Sequence, residues 1–311
     1  MISHSIHYYR GEISLNKLLT FSFIGGDMRQ LKVISSLAED GFHINTYGLT
    51  PNNLCQNVHI SSSVRECISG ADVIVLPLPY SVDISAPLEE RRINAPMCDT
   101  SISVLEVIGG AVSGTFIFAG KADEEFTSVC KAKDILVFDY ATRPEFSVLN
   151  AVPTAEGAIE VAMSNTPFTI HGSRCLVIGY GKIGKVLSAD LRFLGAEVTA
   201  SARNCSDLAW ISANGYRSVR TSQIADIADE FDIIFNTVPH MVLNFRVLSK
   251  TKPDVLIIDL ASKPGGVDFG VAGELGRRTI TALSLPGKVA PESAGLIIKD
   301  TIINILEELG V

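Results

Sequence analysis

The stretch R-C-L-V-I-G-Y-G-K-I-G at Arg174–Gly184 constrains this chain more than any other. An apolar run ends at Gly179, and Gly181 and Gly184 complete G-x-G-x-x-G where a helical pattern begins. Each glycine then has a physical task. Gly179 permits the tight turn, Gly181 lets the backbone approach a pyrophosphate, and Gly184 lets the helix pack against the strand. The helix N-terminus presents unpaired N–H groups and the positive end of its dipole to phosphate. Glycines used only for packing are the alternative, but the flanking strand, helix and next strand (Ala196–Ser201) favour a dinucleotide loop. Lys182 and Ile183 lie inside that loop and join the glycines as cofactor-binding candidates.

The end of the next strand discriminates between the two nicotinamide dinucleotides. An NAD site places Asp or Glu about 20 residues on, where its carboxylate accepts from the ribose 2′-OH. Here the chain reads T-A-S-A-R-N, with Ser201 and Arg203 at that place and no acid until Asp207. An arginine cannot accept from a hydroxyl, but it pairs with a 2′-phosphate and stacks on adenine. Ser201 and Asn204 are donors beside it. The expected cofactor is NADP(H), against the alternative that Arg203 is a solvated surface residue.

Two later loops follow strands of the same unit and belong at the nicotinamide end. They are Asn236–His240, with Thr237 and Pro239, and Asp259–Gly266. Ligands of such sheets lie outside the carboxyl ends of the strands, so Thr237, Pro239 and Asp259 are further cofactor candidates. Turn chemistry is the other use of Lys263-Pro264-Gly265-Gly266.

Short apolar runs alternate with helical stretches throughout, the pattern of an open α/β fold. Strands are expected at Phe21–Ile24, His43–Tyr47, Val73–Leu76, Thr115–Phe118 and Ile135–Phe138, with helices at Met28–Glu39 and Asp123–Lys133. The alternation restarts at Arg174, with strands at Cys175–Ile178, Glu197–Ser201, Ile233–Asn236, Val255–Asp259 and Thr279–Ala282. The expected architecture is two Rossmann-like, doubly wound domains with mainly parallel sheets and a cleft between them. Residues 1–20 form an N-terminal extension, 21–152 a substrate-side domain and 153–289 the NADP-binding domain, with 153–166 a linking helix capped by Thr154. Residues 290–311 form a C-terminal helix with an apolar stripe, expected to pack beside that linker at the hinge.

Composition narrows the function. The 311 residues hold 26 Lys+Arg against 34 Asp+Glu, a net charge of −8 without a basic run, which argues against nucleic acid as partner. The longest apolar runs, such as Phe21–Ile24 and Ala71–Leu76, fall far short of the roughly 20 residues needed to span a bilayer. Residues 1–20 lack the basic-then-apolar layout of a signal peptide, so the expected address is the cytoplasm. The six cysteines form no C-x-x-C pair, so no metal is expected and most of the thiols read as small buried hydrophobes.

The first unit opens I-G-G-D-M-R-Q (24–30), a strand running into Gly25-Gly26 and a helix, without a third glycine at the spacing of a second dinucleotide loop. Asp27 is placed to cap that helix, and Arg29 sits in its first turn, where an anionic group can bind; a capped helix with Arg29 merely exposed is the alternative. This segment, with V-P-T-A-E-G-A-I (152–159), T-I-H-G-S-R (169–174), the glycine loop, D-L-A-S-K-P-G-G-V-D-F (259–269) and L-P-G-K-V-A-P-E-S-A-G (285–295), resembles the dipicolinate synthase A-subunit family. The likeness runs from about Phe21 to the end. Lys263 stands where the family is expected to carry Arg, which keeps the charge without the planar fork.

The resemblance implies NADP-linked oxidation of a dihydrodipicolinate-type ring to pyridine-2,6-dicarboxylate in the mother cell of a sporulating bacterium. It also implies a flavoprotein-like partner, the B-subunit. A homodimer is the expected assembly. Forming an aromatic ring is strongly downhill, so the task is orientation. Two substrate carboxylates call for cations, for which Arg29, Lys263 and Lys288 are candidates, with Thr154 as a further substrate-binding group. Glu156 and His240 are the leading bases, with Asp27 behind them. Glu156 as a helix-capping partner and His240 as a plain loop residue remain open. So do two other functions: a 2-hydroxyacid or amino-acid dehydrogenase using Arg246 and His240, for which no later His completes the layout, and a non-catalytic NADP-binding component of a larger synthase.

Overall fold

Strand β1 (Thr20–Ile24) is enclosed from Phe21 onward, and its chain turns through Gly25-Gly26 into α1 (Met28–Glu39). That helix starts at a capping box: Asp27 accepts from the Arg29 amide, and the Gln30 side chain accepts from the Asp27 amide. The computed structural model describes residues 18–50 and 56–311, so most of the expected 1–20 extension, and Cys55, lie outside the described residues. The chain divides into two compact units: the first runs to Ser147 and resumes at Pro291–Val311, the second is Val148–Ala290.

The first unit continues through β2 (His43–Tyr47), β3 (Val58–Ile60), α2 (Val64–Ile68), β4 (Val73–Val75), α3 (Val104–Gly110), β5 (Phe116–Ala119), α4 (Glu124–Lys131), β6 (Leu136–Asp139) and α5 (Pro144–Leu149). Its strands pair in the order β3-β2-β1-β4-β5-β6, every pairing parallel. Parallel pairing requires crossovers that cover both faces, which is why β4 reads V-I-V and is wholly buried. Phe21, Phe23, Phe42, Phe118 and Phe126 fill this core.

The long connection from β4 to α3 is fastened by Arg91, which is 4% exposed. Its Nη1 donates to Asp123 (2.7 Å) and to the Tyr80 hydroxyl (2.6 Å), Nη2 to Glu125 (2.6 Å), and Nε to the Ala86 carbonyl (2.7 Å). A guanidinium this deep needs each of those acceptors to offset its lost hydration.

The second unit opens with α6 (Ala151–Asn165). Pro153 lies in the first turn, where no N–H is required. Thr154 does not cap this helix as expected: the helix starts at Ala151, and the Thr154 hydroxyl donates back to the Asn150 carbonyl at 2.7 Å. Next come β7 (Arg174–Ile178), α7 (Lys182–Phe193), β8 (Glu197–Ala202), α8 (Cys205–Ala213), β9 (Arg217–Arg220), β10 (Ile233–Asn236), α9 (Phe245–Leu248), β11 (Leu256–Asp259), α10 (Phe269–Glu274), β12 (Arg278–Thr281) and α11 (Leu285–Val289). The order is β9-β8-β7-β10-β11-β12, again parallel throughout. Both sheets thus follow the 3-2-1-4-5-6 order of the Rossmann fold.

The last helix, α12 (Pro291–Leu309), begins where the expected C-terminal segment does. It belongs to the first unit and packs along α1. A Cβ at Gly295 would lie 2.5 Å from the Arg29 carbonyl, so glycine sets how closely the two helices approach. Lys299, 1% exposed, reaches the Ser36 carbonyl (3.0 Å) and hydroxyl (2.5 Å) near the end of α1.

Burial pushes the Cys67 and Cys130 thiols up to about 12 and Cys175 to about 11, while Cys205 is exposed. A thiol that does not ionise does not react. Native alkylation followed by peptide mapping is therefore expected to label Cys205 before Cys67, Cys130 and Cys175, which react only after unfolding.

Candidate functional site

Gly179 ends β7 with φ +95°, and its amide donates to the Ser201 carbonyl at 3.0 Å, which stitches the turn to β8. A Cβ there would meet Thr237 Oγ1 at 2.6 Å and Val238 Cγ2 at 2.7 Å, so the chain after β10 backs the turn. At Gly184 a Cβ would sit 2.1 Å from the Gly179 carbonyl, closer than any side chain permits. Around Gly181, by contrast, a Cβ would meet nothing within 4 Å. Gly181 is also the N-cap of α7, with no side chain capping the helix and no acid in its first turn. The first N–H groups of a twelve-residue helix thus face open space, the arrangement a pyrophosphate requires.

That turn borders a groove of about 580 Å3 at the carboxyl ends of β7, β8 and β10. Ala202 lines it at the strand end where an NAD site would carry its acid, and Arg203 follows. Arg203 is exposed, and its guanidinium has no partner among the described residues. Asn204 lines the groove too, but its amide is committed: Oδ1 accepts from the Asp207 amide and Nδ2 donates to Asp207 Oδ2, both at 2.7 Å. Ser201 departs from expectation. Period-two alternation turns its side chain into the layer beneath, where it is fully buried and its hydroxyl makes no hydrogen bond.

Thr237, Pro239 and His240 line the same groove. Thr237 Oγ1 donates to the Ile178 carbonyl at 2.9 Å, and the His240 ring is exposed. Asp259 does not line it. It is 2% exposed and braces the two strand ends, with Oδ1 accepting from Asn236 Nδ2 (2.8 Å) and the Ala261 amide (3.1 Å), and Oδ2 from the Gly266 amide (3.2 Å). A carboxylate buried this deeply and held by three donors is not presented to a ribose in the groove. Lys182 is exposed and Ile183 half-buried at the start of α7, and neither side chain lines the groove. Lys263 is exposed on the loop after β11, and Lys288 is exposed on α11, which packs on α6.

The remaining candidates sit elsewhere. Glu156 lies on the outer face of α6 beside Asp190 of α7, whose carboxyl is pushed up by burial and by the Glu156 charge. The structure does not bring Glu156 to His240. Thr154 spends its hydroxyl on its own helix. In the first unit Asp27 and Arg29 are spent on each other, with Arg29 Nη2 at 2.8 Å and Nε at 3.0 Å from the carboxylate. Arg29, 9% exposed, also donates to the Leu78 carbonyl at 2.6 Å. Burial alone would lower its pKa, but Asp27 more than compensates and the guanidinium is raised. Its own side chains fill the glycine turn of this unit: a Cβ on Gly26 would meet Gln30 at 2.7 Å, and one on Gly25 would meet Ile93 and Ala95 at 2.8 Å.

Groove residues that were not foreseen include Tyr180, Thr221, Ser222 and Asn244. Tyr180 is the variable residue between the first two glycines, steadied by Asn214 Nδ2 at 3.0 Å. Thr221 and Ser222 follow β9, whose sequence R-S-V-R has no apolar run to announce a strand. Among the described residues no group of three metal-ligating side chains is assembled, and no helix is long and apolar enough to cross a membrane.

A parallel sheet of this order, with an uncapped glycine turn at its topological switch point, defines a nicotinamide-dinucleotide domain of the dehydrogenase type, and hence an oxidoreductase. The sequence agrees: residues 154–264 match the D-isomer specific 2-hydroxyacid dehydrogenase NAD binding domain, and residues 20–141 match the N-terminal domain of the dipicolinate synthase A-subunit. The chain belongs to the dipicolinate synthase A-subunit family. It is 32% identical to the dipicolinate synthase A-subunit of Bacillus subtilis over 94% of its own length and 97% of that protein. The crystal structure of the Bacillus subtilis protein superimposes with a TM-score of 0.85 at 29% identity, covering 96% of this chain and 99% of that one. Its counterpart from Bacillus halodurans gives 0.83 at 29% identity, covering 94% and 98%.

Proposed function

We propose that this chain oxidises a dihydrodipicolinate-type ring to pyridine-2,6-dicarboxylate with NADP+ as acceptor, alongside a flavoprotein-like B-subunit in the mother cell of a sporulating bacterium. The observation that carries the cofactor assignment is the pair at the end of β8: Ala202, too small to contact a ribose hydroxyl, and Arg203, unpaired and bordering the groove. The relatives' name supplies the substrate class. The dinucleotide, when bound, supplies the hydride acceptor.

The residues present fit that role. The free N–H groups at the start of α7 hold the pyrophosphate, and the open side of Gly181 lets it approach. Arg203 holds the 2′-phosphate by charge-assisted bonds. His240, whose exposed ring borders the groove, takes the ring proton. Lys263 and Lys288, both exposed, receive the two carboxylates of the substrate. Because the product is aromatic, fixing the ring in place is most of what the protein must do.

The test is turnover by the purified chain on freshly generated dihydrodipicolinate, following NADPH absorbance and dipicolinate together. NADP+ is expected to support product formation at a kcat/KM roughly 10- to 100-fold above NAD+, as loss of a charge-assisted pair implies. Equal use of both dinucleotides would refute the cofactor assignment. Tight NADPH binding without turnover, with or without the B-subunit, would refute the enzymatic one, and turnover of 2-hydroxyacids would replace the substrate class.

A further inference from the structure

Arg203 is not alone on the groove as an unpaired guanidinium. Arg246, exposed on α9, lines it too and makes no hydrogen bond or ion pair with any described residue. The fold puts Arg246 at the adenosine end. Ala202 stands beside Arg220 in the β8–β9 register, so the chain leaves β9 next to Arg203 and enters a short 3₁₀ helix, Thr221–Asp226. That helix packs on both β8 and α9. The groove wall therefore runs from Arg203 through Thr221 and Ser222 to Arg246. The two hydroxyls make no hydrogen bond among the described residues, so both are free to serve a ligand.

One guanidinium is a weak match for a phosphate here. Asp207 lines the same wall, and its carboxylate cancels the charge of Arg203. Asn204 Nδ2 holds Asp207 Oδ2 at 2.7 Å, which keeps that carboxylate in place. A phosphate monoester carries about −1.5 to −2 at neutral pH, and it gains little from a wall of zero net charge. Arg220 does not supply the difference: its Nη2 donates to Cys205 Sγ at 3.3 Å, and it does not line the groove. No lysine lines the groove, which leaves Arg246 as the further permanent cation there among the described residues.

We propose that Arg246 is the second cation of the 2′-phosphate site. Arg203 and Arg246 hold the phosphate from the two ends of the wall, and the hydroxyls of Thr221 and Ser222 donate between them. This role rests on the NADP+ assignment made above and gives the wall the net positive charge that a dianion needs. It also takes Arg246 away from the substrate carboxylate that it would serve in a 2-hydroxyacid dehydrogenase.

Calorimetric titration of the full chain with NADP+ and NAD+, and with adenosine 2′,5′-bisphosphate and adenosine 5′-monophosphate, separates the possible roles. Arg246→Met removes the charge and leaves no partner unpaired, so its circular dichroism spectrum is expected to match the parent's. It is expected to weaken NADP+ and the bisphosphate by roughly tenfold, and NAD+ and the monophosphate by less than about twofold. Arg246→Lys is expected to recover most of the loss, because a phosphate accepts a point charge. Equal losses for all four ligands would place the guanidinium on the adenine ring and overturn the proposal. A parent that prefers NADP+, with that preference unchanged in Arg246→Met, would overturn it while leaving the NADP+ assignment standing. A parent that binds both dinucleotides equally would overturn that assignment and this role with it.

Discussion

Arg203→Asp is expected to weaken NADP+ binding by roughly 100- to 1,000-fold while leaving NAD+ binding unchanged or improved. The guanidinium lines the groove without a competing partner, so the full strength of its bond to a 2′-phosphate is available, about 1.5–3 kcal/mol for a charge-assisted contact. The substituted carboxylate adds repulsion against a dianion, on the order of 1 kcal/mol at the surface. Together these give about 2.5–4 kcal/mol, or roughly two to three powers of ten. With NAD+ the sign reverses, because aspartate accepts from the 2′-OH that arginine cannot serve. Calorimetric titration of both dinucleotides into parent and variant decides the matter; an unchanged ratio of affinities would remove the assignment to NADP.

Arg91→Met is expected to destabilise the first unit by about 1.5–3 kcal/mol, because the buried guanidinium's charge-assisted bonds are lost while its carboxylate partners keep some access to water. Methionine restores the packing volume, so the loss reports on the guanidinium bonds to Asp123, Glu125 and the Tyr80 hydroxyl, of which Asp123 keeps the Tyr80 hydroxyl and backbone amides as donors. Urea denaturation at neutral pH should show a lower midpoint with little change in slope. The effect depends on pH in a definite direction. Burial works to raise the Asp123 carboxyl, but Arg91, Tyr80 and the Phe126 amide outweigh it and hold the group below the ordinary carboxylate range. A depressed folded pKa contributes stability that is complete above the unfolded value and vanishes as pH falls through the folded one. The gap between parent and variant should therefore be widest near neutrality and narrow below about pH 4. A gap that stays constant down to acid pH would show that lost packing, and not the ion pair, accounts for the damage.

Much of the second unit was legible because its signals are local. The glycine loop, the apolar strand before it and the arginine after the next strand are adjacent in sequence, and their spacing dictates the geometry. Helices α1 and α12 matched their expected limits because a capping residue opens the first and the proline Pro291 opens the second. The edge strands β3 (V-H-I) and β9 (R-S-V-R) were illegible for the opposite reason: an edge needs only one paired side, so polar residues suffice. What failed in the site was a matter of partners. Nothing in the sequence near Asp259 announces that Asn236, 23 residues earlier, claims its carboxylate, and Leu78 claims Arg29 across 49 residues. Ser201 was placed in the right strand but on the wrong face, a one-residue parity error. Glu156 is a leading base by sequence, and its place beside Asp190 is visible only once α7 is packed against α6.

In the first unit α1 is covered by α12, a helix encoded after the whole of the second unit. A ribosome therefore delivers every strand of the second sheet before it delivers the helix that finishes the first. The earlier-encoded half waits, one flank of α1 bare and Ser36 without its lysine, until its neighbour has been read through, so the unit begun first is the one completed last.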